Sequence, residues 1–189
     1  MNLGLAGLIG ALIVAVLTDL SARKVPNFLI VAGFVGASFF NAFTTSGSGV
    51  LAPSAGGIGF LPALAGVATG FAALFPLYAL RAMGAGDVKL MMMVGAFLGP
   101  LQTLGVVVLT FAAGGVLAIA MALWQRSFRQ LVLNLRFMLT TSAISAAGGT
   151  SPKLEPLQQT AGRMPYAVAI AAGTLLQLFL VRSGGWALS

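Results

Sequence analysis

Apolar residues fall in six stretches along the chain, at positions 3–18, 28–43, 60–80, 90–99, 101–123 and 165–181, and the charged residues gather between them. A helix needs roughly 20 apolar residues to cross a bilayer, and fewer where the bilayer thins locally. The pattern therefore predicts an all-α membrane protein of six transmembrane helices. The fourth stretch leaves room for a helix that begins before Val88 and bends at Pro100, where a helix loses a backbone donor. The first stretch has no basic segment ahead of it and ends in Thr18-Asp19 instead of a small-residue cleavage site. It reads as a retained helix, not as a signal peptide. The connection at 44–57, TTSGSGVLAPSAGG, is uncharged and rich in glycine and serine, as an exposed flexible loop should be.

Composition agrees with this pattern. Of 189 residues 59% are hydrophobic and 7% charged, with a mean hydropathy of +1.02, too few charges to cover a soluble surface. The length suits one bundle, a single domain over 1–189. A net charge of +7 would suggest nucleic acid in a soluble protein. Here the basic residues lie between apolar stretches, so they read as topology signals and no nucleic-acid partner is expected. With the N-terminus outside, the inner connections hold Arg23, Lys24, Arg81, Lys89, Arg126, Arg129, Arg136, Lys153 and Arg163, nine of the ten basic residues, and only Arg182 lies outside. The positive-inside rule thus predicts N-out and C-out.

The long last inner connection contains WQRSFRQLVLNLRFML, at 124–139. At 100° per residue Arg126, Arg129 and Arg136 share one face, and Trp124, Phe128, Leu131, Leu135 and Met138 the other. This predicts a cytoplasmic amphipathic helix between spans five and six. It would lie in the interface with its basic face towards anionic lipid head groups, or else pack on the bundle.

The chain has no cysteine and no histidine. That excludes disulfides, thiolate nucleophiles, Ser-His triads and the usual zinc sites. The acids are Asp19, Asp87 and Glu155. In the N-out arrangement Asp19 ends the first span on the inner side, and Asp87 opens the fourth on the same side. Two carboxylates 68 positions apart thus share one depth at the membrane boundary, where ionisable groups are costly and point to function. Singly, each has a plain structural reading: Asp87 as the N-cap of a helix starting at Val88, Asp19 as an ion pair with Arg23. Together they form a candidate dyad. Carboxylates brought close cannot both ionise easily, so one stays protonated while the other acts as base on a water. Aspartic peptide hydrolysis needs such a pair, which titrates as a unit. Gly84 and Gly86 flank the approach to Asp87, where missing side chains allow unusual backbone angles and a close substrate.

At these residues the chain resembles a known family. GAGDVKL at 84–90 is similar to the G-x-G-D signature of intramembrane aspartic proteases, in the form found in type IV prepilin leader peptidases. TDLSARKVPNFL at 18–29 resembles the family's other motif, an aspartate and a basic stretch leading to Pro-Asn. GRMPYAVAIAAG at 162–173 resembles the R-x-P-Y segment that opens the last helix of short, tight-adherence (Flp-type) members. The resemblance implies removal of the leader from prepilin or pseudopilin precursors at the cytoplasmic face of the inner membrane, with Asp19 and Asp87 as the catalytic pair. By the same match Pro26 and Asn27 shape the first inner loop, and Lys89 and Arg163 are charged neighbours of the site. Lys89 could bias the dyad or hold a substrate carboxylate, or simply anchor the chain by snorkelling. Longer members carry a cytoplasmic region with paired cysteines, associated with N-methylation of the product; this chain lacks cysteine, and that second activity is not expected. No cofactor or metal is implied. A small proton-coupled transporter or channel and a non-catalytic assembly factor remain the alternatives. Against the first, relays usually lie near the midplane; against the second stands the presence of both aspartates.

Overall fold

The computed structural model describes residues 3–22, 26–43, 57–80, 82–124, 133 and 166–184. Six long helices make up this part: α1 (Leu3–Ala22), α2 (Asn27–Phe43), α3 (Phe60–Ala79), α4 (Ala85–Leu98), α5 (Pro100–Trp124) and α6 (Tyr166–Arg182). Each coincides with one of the six apolar stretches. Three of them, Leu3–Ala22, Phe60–Ala79 and Pro100–Met121, are long and apolar enough to cross a membrane. Helices α2 and α6 are apolar but shorter, and α4 has 14 residues. The amphipathic segment expected at 124–139 lies, apart from Trp124 and Leu133, outside the described residues, as do Arg23, Lys24, Arg81, Glu155 and Arg163.

Helix ends depart from the apolar pattern in informative ways. Helix α1 does not stop at Thr18 but continues through Asp19 to Ala22. The Thr18 hydroxyl donates to the Val14 carbonyl (2.8 Å) and the Ser21 hydroxyl to the Leu17 carbonyl (2.7 Å), so these polar residues are absorbed into the helix. Helix α4 starts at Ala85, five residues ahead of the apolar stretch, with Gly84 as its N-cap. Asp87 is therefore not the N-cap of a helix beginning at Val88; it stands at the third helical position. The bend expected at Pro100 is a full break. Gly99 takes φ +79°, a left-handed conformation that glycine reaches freely. Its N–H donates to the Gly95 carbonyl (2.9 Å), and Pro100 opens α5 at a position where no N–H is needed.

Helix α4 is the centre of the bundle: Leu90, Met91, Met93 and Val94 are fully buried. Helix α3 runs antiparallel to it at very close range. A side chain on Gly66 would strike the Gly95 carbonyl, and one on Gly70 would lie 2.8 Å from the Met91 carbonyl oxygen. Small residues at such a crossing let two backbones approach. Helix α2 runs parallel to α4, with Gly33 beneath Met93. Asn41 is buried and ties three elements together. Its amide donates to the carbonyls of Ala37 (2.9 Å) and Ala96 (3.0 Å), and its oxygen accepts the Ile58 N–H (2.9 Å) just before α3. Helices α5 and α6 pack antiparallel, Gln177 lying over Gly105 and Thr110 over Gly173. Leu, Phe, Val and Ile on the outer faces of α1, α2, α3 and α5 are exposed, an apolar exterior that matches lipid and not water.

Candidate active site

The packing gathers the C-terminal end of α1 and the N-terminal ends of α2, α4 and α6 at one end of the bundle. Three contacts define this end. The Ala167 N–H of α6 donates to Asp19 Oδ2 on α1 (3.1 Å), Lys89 Nζ of α4 donates to Asn27 Oδ1 on α2 (3.1 Å), and the Gly84 N–H at the start of α4 donates to Asp87 Oδ2 (3.3 Å). Helices from four parts of the sequence thus place both carboxylates at the same end of the bundle.

Each carboxylate is held in a similar way. Asp19, in the last turn of α1, is 9% exposed. Its Oδ2 accepts the Ala167 N–H, one of the first-turn donors of α6 that have no partner within their own helix. Asp87 is half-buried, and its Oδ2 accepts the N–H of Gly84 (3.3 Å), its own helix's N-cap. This is the half of a capping box that a glycine N-cap permits. Both carboxylates therefore sit at helix N-termini, where backbone amides and the positive end of the helix dipole favour an anion. Among the described residues, backbone donors and no charged side chain hold them.

The other expected site residues fall around this centre. Gly84 is exposed and Gly86 half-buried, with the exposed Ala85 between them. Pro26 precedes α2, and its carbonyl accepts the Leu29 N–H (3.1 Å). Asn27 and Lys89 are both exposed and bonded to each other, so Lys89 is turned to α2. Among the described residues no three carboxylate, histidine or cysteine side chains converge as a metal site would require. Two features of the centre were not anticipated. The Ala167 amide is a backbone group, and no residue letter signals it. Tyr166, in the quoted R-x-P-Y segment, is half-buried, packs on the core, and lies within electrostatic reach of Asp87.

A model of the type IV leader peptidase family matches residues 6–119, which include Asp19, Asn27, the G-x-G-D segment, most of α1 and the whole of α2 to α4. The chain belongs to this family. Neither the curated proteins nor the solved structures give a match. Membership implies a peptidase with a protein substrate, and the family's membrane setting agrees with the three long apolar helices.

Proposed function

We propose that this protein is an aspartic endopeptidase that removes the leader from prepilin or pseudopilin precursors. It would be a short, peptidase-only member of its family. In this reading all six helices span the inner membrane, N-out and C-out, and the dyad faces the cytoplasm. Asp19 and Asp87 share one proton. The ionised carboxylate takes a proton from a water, whose oxygen adds to the scissile carbonyl carbon, while the protonated partner gives its proton to the carbonyl oxygen. As the tetrahedral intermediate collapses, that oxygen returns its proton to the dyad, and the nitrogen leaves as an amine with the proton taken from water. The dyad is then restored. Roles are assigned to the pair and not to either member.

The observation that supports the reading is the placement of Asp19 and Asp87, 68 positions apart in a chain with three acids, at one end of the bundle, each held by a backbone amide. Gly84 and Gly86 leave space for an extended chain beside Asp87, and Pro26, Asn27, Lys89 and Arg163 serve as the site's surroundings. The test is precursor processing. A candidate prepilin is co-expressed with the wild-type protein, Asp19→Asn or Asp87→Asn, and its mass is followed. Loss of leader removal in both variants, with both proteins still in the membrane, is the expected result. Normal processing by either variant would overturn the dyad.

A further inference from the structure

Helix α6 lies beyond the residues matched to the family, yet its first turn holds one of the two carboxylates. The Ala167 N–H donates to Asp19 Oδ2 across 3.1 Å, joining positions 148 apart in the sequence. Both partners are shielded: Ala167 is fully buried and Asp19 is 9% exposed. With little water to compete, a hydrogen bond to a carboxylate is stronger than its exposed counterpart. The donor's place is set by packing further along the helix. Thr110 of α5 closes on Gly173, and Gln177, fully buried, donates to Gln102 Oε1 on α5 (2.7 Å). Gln177 stands ten residues along α6 from Ala167, roughly 15 Å at 1.5 Å per residue. Polar bonds of this kind help to hold helices against one another in a bilayer. Helix α6 therefore delivers its first-turn amide to Asp19 from a seat made by α5.

We infer that the Ala167 N–H is a positioning group of the reaction, holding the Asp19 carboxylate in its working orientation and favouring its ionised form. This deepens the peptidase reading and rests on it. The last torsion of an aspartate side chain has a broad preference, so a tie at Oδ2 decides which way Oδ1 points. The amide gives up no proton and acts only through Asp19. Gly84 ties Asp87 from within the same helix, whereas the tie on Asp19 comes from another helix altogether. Cleavage thus depends on α6 being seated, although α6 carries neither carboxylate. A bond to the charged form lowers the pH at which Asp19 takes up its proton. Of the elements packed against α1, α2 brings no titratable group to this end, α4 brings Asp87 and Lys89, and α6 brings Tyr166. Removing one backbone N–H alters none of those three.

The test replaces the amide and nothing else. L-Lactic acid at position 167 keeps the methyl side chain and turns the N–H into an ester oxygen. As a control, α-hydroxyisovaleric acid at position 168 removes the next N–H of the same turn, which makes no bond to Asp19. Both are made as full-length protein in lipid vesicles and compared with wild type, Asp19→Asn and Asp87→Asn on one purified precursor, across pH. For the 167 ester kcat on the pH plateau should fall about 10- to 10²-fold, the effect of losing a hydrogen bond to a charged group, with KM within about twofold. The acidic limb of kcat/KM, where the base takes up its proton, should move to higher pH. The 168 ester should match wild type in both. Wild-type kcat and pH profile in the 167 ester, with both aspartate variants inactive, would overturn the role of Ala167 and leave the peptidase reading intact. So would equal losses in the two esters, a lower kcat with an unmoved acidic limb, or a lower unfolding temperature as the only change. If the aspartate variants cleave like wild type, or wild type cleaves no precursor, the peptidase reading fails and the inference with it.

Discussion

At the scale of single residues, the site is organised by backbone donors and by a few polar side chains that meet across helices. The bond from Lys89 to Asn27 is one such meeting, 62 positions apart and exposed. Exposed polar pairs contribute little to stability, less than ~1 kcal/mol, so its value lies in holding the start of α2 against the turn that carries Asp87. Asn27→Ala and Lys89→Ala should each lower kcat/KM, and the double variant should be no worse than the weaker single one, because either substitution already breaks the contact. Steady-state cleavage of one precursor by the four proteins checks this. Additive losses would mean that Lys89 acts independently of Asn27, as a lone anchor would. The placement of both carboxylates at one end of the bundle was legible in the sequence, because acids are so scarce in it that their spacing along the topology could be read directly. The Ala167 amide was not legible, since every residue but proline offers the same donor and only packing decides which one meets a side chain.

At the scale of elements, hydropathy located all six helices but misplaced the ends that matter most. Apolarity begins at Leu90, whereas α4 begins at Ala85, because Gly84 and Asp87 supply a helix start that a hydropathy window does not register. The same holds for α1, which carries Asp19 inside its last turn. Close crossings were likewise hidden: glycine is common in this chain, and nothing in the sequence says which glycines face one another. The Gly66–Gly95 crossing sets how deep α4 sits against α3, and Asp87 rides on α4. Gly95→Val should cost about 1–3 kcal/mol of stability as an overpacked contact. It should also lower kcat by up to about 10²-fold, the order expected when reacting groups move by ~1 Å. Asn41 gives the opposite combination. It stands 14 residues along α2 from Asn27, roughly 21 Å at 1.5 Å per residue. Asn41→Leu leaves the Ile58 N–H and Ala96 carbonyl without their partner and should cost ~1–3 kcal/mol, while kcat of the folded fraction stays near wild type. Denaturant unfolding in detergent and cleavage kinetics, measured on the same preparations, separate the two cases.

At the scale of the whole molecule, the bundle's polarity and the chain's charge pattern make one joint prediction about how it sits in the membrane. The ends of α1, α3 and α5 and the starts of α2, α4 and α6 lie together, and nearly all basic residues fall in the connections at that end. By the positive-inside rule that end is predicted to face the cytoplasm. The absence of native cysteine makes the test clean. Ser21, exposed at the dyad end of α1, and Ser183, exposed just after α6 at the opposite end, are each replaced singly by cysteine. In intact spheroplasts a membrane-impermeant maleimide should label Ser183→Cys and spare Ser21→Cys; in inverted inner-membrane vesicles the pattern should reverse. Labelling of both positions from one side would break the six-span reading, because α1 and α6 could not then both cross. Labelling of Ser21→Cys from outside would place the dyad away from the cytoplasm. A substrate whose leader stays in the cytoplasm would then have no route to it.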